Sequence, residues 1–258
     1  MIDLSGKKRV VIKVGTSNIA YKTGNLNIRR VEGLVKIISD IRNSGREVIF
    51  VTSGAISVGM ARLNLSERPA DTPTKQACAA IGQSVLMDIY DNEFSKYNRV
   101  VAQILMTRDV VSNKERRQNA RNTIEKLLEM GVVPIINAND SISLEHLDFD
   151  ENDTLSAMVA KIAEADLLIM FTDVDGLFDK NPSEPDAKLI PVVEKITDEM
   201  IHAAKGKGSE LSSGGMLAKL EAAIIAKEAN IPSVILNGER LEILYDLFEN
   251  KAVCTVFV

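Results

Sequence analysis

Tryptophan is absent from this 258-residue chain, and histidine and cysteine occur twice each. Aromatic residues make up only 4%, too few for the stacking platforms that read single-stranded nucleic acids. The formal net charge of −5 lacks the basic field that non-specific nucleic-acid binding needs. With only His146 and His202 available, no histidine metal site or Ser-His-Asp triad is expected. Cys78 and Cys254 have no CxxC spacing and are expected to be small buried hydrophobes rather than disulfide or metal partners. No apolar run approaches the roughly 18 residues that span a bilayer. Lys7-Lys8-Arg9 leads into a short apolar stretch that is too short and too charged for a signal peptide. No membrane partner is expected, and the expected compartment is the cytoplasm.

What is present is an alternation of apolar runs and amphipathic stretches over a length that suits one large core. Strand-like runs lie at Arg9–Val14, Glu47–Thr52, Arg99–Leu105, Val132–Asn137, Leu167–Thr172 and Ser233–Leu236, with a short strand near Lys188–Val193 and an edge strand at Ala252–Val258. Helical spacing covers Asn27–Asn43, Thr74–Tyr97, Lys114–Met130, Asp153–Ala165 and Gly214–Asn230, and Gly45 offers a stop for the first of these. The pattern predicts an α/β domain with a mainly parallel sheet covered on both faces, a three-layer sandwich. Two polar loops stand out, Asn137–Asn152 and Lys205–Ser213. Ligands in open α/β sheets bind in loops at the carboxyl ends of strands.

Two lysines carry the strongest chemical signal. Lys13 precedes Val14-Gly15-Thr16-Ser17, and Lys219 follows Ser212-Ser213-Gly214-Gly215-Met216-Leu217-Ala218. Glycine lets backbone N–H groups approach a phosphate, and lysine adds a point charge. Either segment alone reads equally well as a tight turn. Side chains alternate along a strand, so Val11 and Lys13 face away from Val10, Ile12 and Val14. A doubly covered strand has little room for an unpaired ammonium, so Lys13 needs an anion, either a carboxylate or a ligand phosphate. Two such lysines suggest a nucleotide phosphate held between cations from separate loops.

The other polar strand ends allow two readings each. Thr52-Ser53-Gly54-Ala55 is no GxSxG elbow; the Ser53 hydroxyl and the Gly54 N–H suit a donor site. Asn137-Ala138-Asn139-Asp140 and Asp150-Glu151-Asn152-Asp153 bracket one loop. They form either an acidic loop with Asp153 capping the next helix, or a site for a zwitterion, with carboxylates for its ammonium and amides for its carboxylate. Thr172-Asp173-Val174-Asp175-Gly176 is a strand exit or part of a cation site. Arg116, Arg117 and Arg121 share one helix and are expected on a solvated surface or a subunit contact.

Taken in order, the segments VIKVGTS (11–17), VTSGAISVGM (51–60), KQACAAIGQ (75–83), NARNTIEKLLEMGVVPIINAND (119–140), ENDTLSAMVA (151–160), FTDVDGLF (171–178) and SSGGMLAKLEAA (212–223) resemble the amino-acid kinase family, and within it the branch that phosphorylates glutamate. The resemblance runs the whole chain. It implies the carbamate kinase-like fold as a single domain over 1–258, with the N-terminal part binding the amino acid and the C-terminal part binding ATP. It also implies transfer of phosphate from ATP, with Mg²⁺, to the γ-carboxylate of L-glutamate, the first step of proline biosynthesis. A sibling activity on another carboxylate or phosphate acceptor is the alternative.

Lys13 and Lys219 would then contact the transferred phosphoryl group, and Asp153 would hold the two lysines. Ser53, Gly54, Asp140 and Asn152 would bind glutamate. Thr172 and Asp173 would flank the nucleotide, with Ser213, Gly214, Gly215, Met216, Leu217, Ala218 and Lys219 closing on its phosphates. The Mg²⁺ ligands are not identified. The resemblance further implies proline feedback inhibition and a homodimer or homotetramer. The chain departs from the branch pattern at Ala138, Glu151 and Ser212-Ser213, and it is expected to lack the C-terminal PUA domain that many relatives carry.

Overall fold

At Arg9–Lys13, Glu47–Val51, Val133–Ala138 and Leu167–Thr172 the apolar runs become strands with consecutive residues buried, which requires cover on both faces. A computed structural model describes residues 2–107, 109–142, 152–205 and 215–258. In chain order the elements are β1 (Arg9–Lys13), α1 (Thr16–Ile19), α2 (Ile28–Asn43), β2 (Glu47–Val51), α3 (Ala55–Arg62), α4 (Thr72–Ser95), β3 (Val101–Met106), α5 (Asp109–Ser112), α6 (Lys114–Glu129), β4 (Val133–Ala138), α7 (Asp153–Ile162), β5 (Leu167–Thr172), β6 (Val192–Val193), α8 (Asp198–Lys205), α9 (Gly215–Glu228), β7 (Ser233–Asn237), α10 (Ile243–Phe248) and β8 (Cys254–Phe257). They divide into two units, residues 1–13 with 153–258, and residues 14–152.

In the 14–152 unit, β4 lies between β3 and β2 and is parallel to both. All six residues of β4 are buried. Helix α2 begins where Asn27 Oδ1 accepts from the Arg30 N–H at 3.3 Å, a cap worth about 1 kcal/mol. It ends at Ser44, followed by Gly45 at φ 91°. Its apolar stripe, from Val31 through Ile41, is buried. Helix α4 starts at an Asp71 cap with Pro73 in its first turn, where the missing N–H does no harm.

Helix α3 is not evident in the periodicity, because a glycine interrupts its eight residues. That glycine lets α3 and α4 touch backbone to backbone. A Cβ placed on Gly59 would lie 1.9 Å from Cys78 O, and one on Gly82 would lie 1.8 Å from Ala55 O.

In the unit formed by 1–13 and 153–258, β5 runs parallel to β1 and to β7. The expected edge strand at the C-terminus needs correction. β8 runs antiparallel to β7 and is parallel to β6 on its other side. The two-residue β6, within the short strand expected near Lys188–Val193, supplies that outer partner. Helices α7 and α9 are rich in alanine and pack on each other and on the sheet. Cys78 is buried as expected, but Cys254 is only half-buried. On α6, Arg116 is exposed and pairs with Asp109, and Arg121 pairs with Glu125 at 2.9 Å. Among the described residues, no helix is long and apolar enough to cross a membrane.

Candidate active site

Lys13 is the last residue of β1 and is 1% exposed. The alternation of the strand turns it into the protein, and the anion it requires is Asp153. Lys13 Nζ lies 2.9 Å from Asp153 Oδ1. Lys219, on the second turn of α9 and 4% exposed, places Nζ 3.1 Å from Asp153 Oδ2 and 3.4 Å from the carbonyl of Gly215. One fully buried carboxylate therefore holds an ammonium on each oxygen. Asp153 is the first residue of α7, but its carboxylate is not the helix cap that local sequence suggests. Two cations occupy its oxygens instead.

Burial alone would push the Asp153 carboxyl up. The charges of Lys13 and Lys219, with their N–H donors, outweigh burial and hold it below its ordinary value. Such a group adds stability that is fully present above the unfolded value, about 3.9, and is lost as pH falls through the lower folded value. Acid unfolding should therefore take up a proton at this position. Asp153→Asn should show a shallower loss of stability below about pH 4. Equal slopes for the two proteins in acid denaturation would exclude it.

Thr172 ends β5 and is half-buried, and Asp173 beside it is exposed. The Thr172 hydroxyl donates to Asp173 Oδ1 at 3.2 Å. The Gly238 N–H donates to Thr172 O at 2.8 Å, and Asn237 Nδ2 donates to Asp175 Oδ1 at 3.0 Å. Asn237 and Gly238 thus join the ends of β5 and β7, and sequence reading gave them no role. Their signal was available: Leu236-Asn237-Gly238 leaves a buried strand through a polar residue and a glycine, as the other site segments do. Met216, Leu217 and Ala218 are half-buried at the start of α9, after Gly215. Ser213, Gly214 and Glu151 lie outside the described residues.

In the 14–152 unit, Gly54 adopts φ 91° and precedes α3, a conformation with little penalty for glycine alone. Ser53 is 4% exposed, and its hydroxyl has no partner among the described residues. Thr52 Oγ1 lies 2.7 Å from the hydroxyl of the fully buried Tyr90, whose ring meets Phe50 edge to face at 5.2 Å. Asn152 Nδ2 donates to Thr52 O and to Asn137 Oδ1, both at 2.6 Å. Asn137 Nδ2 donates to Gln83 Oε1 at 2.8 Å. Sequence reading gave the amides to a ligand carboxylate. For Asn152 this needs correction, because protein acceptors already hold its NH₂. Asp140 is half-buried in the turn after β4, beside Asn139, whose N–H donates to Met106 O at 2.8 Å.

The chemistry available is therefore two buried ammonium groups fixed on one carboxylate in one unit, and a polar amide and hydroxyl cluster in the other. The trio suits phosphate oxygens, since an ammonium carries three donors and Lys219 directs two of them at Asp153 and Gly215. Among the described residues, no group of three or more His, Cys, Asp or Glu is placed to hold a metal.

Over nearly its full length the chain is 46% identical to a glutamate 5-kinase of Listeria innocua, covering 98% of this chain and 94% of that protein. It is 45% identical to a glutamate 5-kinase of Clostridium perfringens, covering 99% and 97%. Among solved structures, the UMP kinase of Ureaplasma parvum superposes with a TM-score of 0.68 at 17% identity, covering 97% of this chain and 98% of that one. The carbamate kinase of Giardia lamblia bound to AMP-PNP also gives 0.68, at 20% identity and 99% coverage of both. These two likenesses show the amino-acid kinase fold. The amino acid kinase family model matches residues 8–237, and with a lysine–aspartate–lysine trio inside that span the chain belongs to the amino acid kinase family.

Proposed function

We propose that this protein transfers the γ-phosphoryl group of ATP to the γ-carboxylate of L-glutamate, forming L-glutamyl 5-phosphate for proline biosynthesis. The observation that carries the reading is Asp153 between Lys13 and Lys219, 2.9 and 3.1 Å from the two ammonium groups. It is supported by the identity to named glutamate 5-kinases over the whole chain.

The acceptor explains why no histidine is needed. A γ-carboxylate has a pKa near 4.3 and arrives ionised, so no general base must activate it. The barrier is charge. Two unit charges about 4 Å apart repel by roughly 4 kcal/mol at an effective dielectric of 20. Lys13 and Lys219 offset this by placing positive charge at the transferred group and its equatorial oxygens. Asp153 keeps two mutually repelling ammonium groups at fixed positions and takes no proton.

Thr172 and Asp173 flank the nucleotide, and the segment from Ser213 to Lys219 closes on its phosphates. Ser53, Gly54, Asp140 and Asn152 receive glutamate. The 14–152 unit thus takes the amino acid, and the unit of 1–13 with 153–258 takes ATP. When bound, Mg²⁺ would supply positive charge that offsets the charge of the phosphates. The same reading carries a cytoplasmic enzyme, a homodimer or homotetramer, and inhibition by proline.

The test is turnover with ATP, Mg²⁺ and a panel of L-glutamate, N-acetylglutamate, carbamate, aspartate and UMP, with hydroxylamine present to trap an acyl phosphate. Glutamyl hydroxamate and ADP should appear together with L-glutamate alone. ADP release driven by another member of the panel would replace this reading with a sibling kinase.

A further inference from the structure

Gln83, Asn137 and Asn152 form a row of amides whose direction is set by the backbone at both ends. The Ala138 N–H meets Asn137 at 2.9 Å. An N–H can only donate, so the atom it meets is Oδ1, and the Asn137 nitrogen is left to face Gln83. At the other end, Asn152 lies 2.6 Å from the carbonyl of Thr52. A carbonyl can only accept, so this atom is the Asn152 nitrogen. That nitrogen has two hydrogens, one on Thr52 O and one on Asn137 Oδ1. Both are committed, and Oδ1 is the atom that Asn152 can still offer a ligand.

Gln83 closes the row. Its Oε1 accepts from Asn137 Nδ2, and its own Nε2 is buried without a partner among the described residues. An apolar side chain would leave no such donor behind. The polar group therefore has its use in the oxygen, which supplies the acceptor that keeps the buried Asn137 in this orientation. Seven residues along α4, on the same helix face, the Tyr90 hydroxyl braces Thr52. Helix α4 thus supports both anchors of Asn152.

We propose that Gln83 is a positioning residue for acceptor specificity. By accepting from Asn137 Nδ2 it holds Asn137 in the direction the backbone sets, so that Asn152 keeps presenting an oxygen. The site then reads the α-ammonium of its amino-acid substrate and disfavours a dicarboxylate that lacks one. This rests on the glutamate reading above and adds to it the basis of selection.

The experiment uses the full chain with ATP and Mg²⁺. It compares L-glutamate with glutarate, the same dicarboxylate without the ammonium, by steady-state kinetics and by calorimetric titration. Gln83→Leu, which removes the acceptor, should raise KM for L-glutamate about tenfold and shrink the preference for glutamate over glutarate by a similar factor. KM for ATP should stay within about twofold. Gln83→Glu, which keeps an oxygen facing Asn137, should retain most of the preference.

An unchanged preference in Gln83→Leu overturns the proposal, and so does an equal loss for both ligands, which is what poorer packing alone would give. If Gln83→Leu fails to fold by circular dichroism, the wild type and Gln83→Glu decide. Glutarate binding as tight as glutamate in the wild type, or loss of the preference in Gln83→Glu, overturns it. Wild-type protein that binds L-glutamate over glutarate but releases no ADP supports the ammonium reading and refutes the kinase reading. Binding of neither refutes both.

Discussion

Asp153→Asn is expected to lower turnover about 10³-fold or more while ATP affinity changes far less. The substitution keeps the shape of the side chain and removes its charge. Lys13 and Lys219 are then two buried cations without their shared counter-ion. They repel each other, and the positions that matched the transferred phosphoryl group are lost. ATP supplies negative charge of its own, so binding can survive where transfer does not. Breaking a buried ion pair from one side also costs about 3–5 kcal/mol of stability, so a lower unfolding temperature should accompany the kinetic loss. The measurements are single-turnover hydroxamate formation, ATP titration and thermal unfolding. Near-normal turnover at saturating substrates with ATP binding abolished would remove Asp153 as the organiser of the two lysines.

Gly82→Ala should lower the unfolding temperature by about 6–12 °C, the equivalent of roughly 3 kcal/mol in a chain of this size. The added methyl would meet Ala55 O at 1.8 Å and Gly59 N at 2.6 Å. Both are backbone atoms and cannot turn aside as a side chain can, so α3 and α4 must separate. Separation moves the start of α3, where Ser53 and Gly54 lie, and shifts Gln83 next to the mutated residue. KM for L-glutamate should rise as well, with KM for ATP within about twofold, because Lys13, Asp153 and Lys219 belong to the other unit. An unfolding temperature within about 2 °C of wild type would show that the two helices are not in the contact described.

Much of this was legible before any coordinates. The parallel strands and long helices follow from runs of buried residues and helical spacing. The requirement that Lys13 meet an anion follows from side-chain alternation on a covered strand. The identity of that anion was not legible locally. Asp153 is 140 positions away and reads there as a helix cap, and only the pairing of β1 with β5 and the packing of α7 against them bring the two together. Helix α3 was hidden because its glycine serves interhelical contact rather than helix propensity. The place of β8 inside the sheet was hidden because periodicity does not record strand order: the short strand near Lys188–Val193 was legible, but its pairing with β8 was not. The role of Gln83 was hidden for a different reason. The direction of an amide depends on the donor or acceptor character of backbone groups at its neighbours, and composition and spacing carry no record of that.

Tyr90 has a consequence for spectroscopy. A chain without tryptophan has its near-ultraviolet bands dominated by four tyrosines, and Tyr90 is the one whose side chain is wholly enclosed. Burial holds its phenol well above the ordinary value, with the Thr52 contact acting weakly the other way. A late phenolate band in an alkaline titration would therefore mark the opening of the core beneath the end of β2. The native chain carries its own optical reporter there, with no label attached.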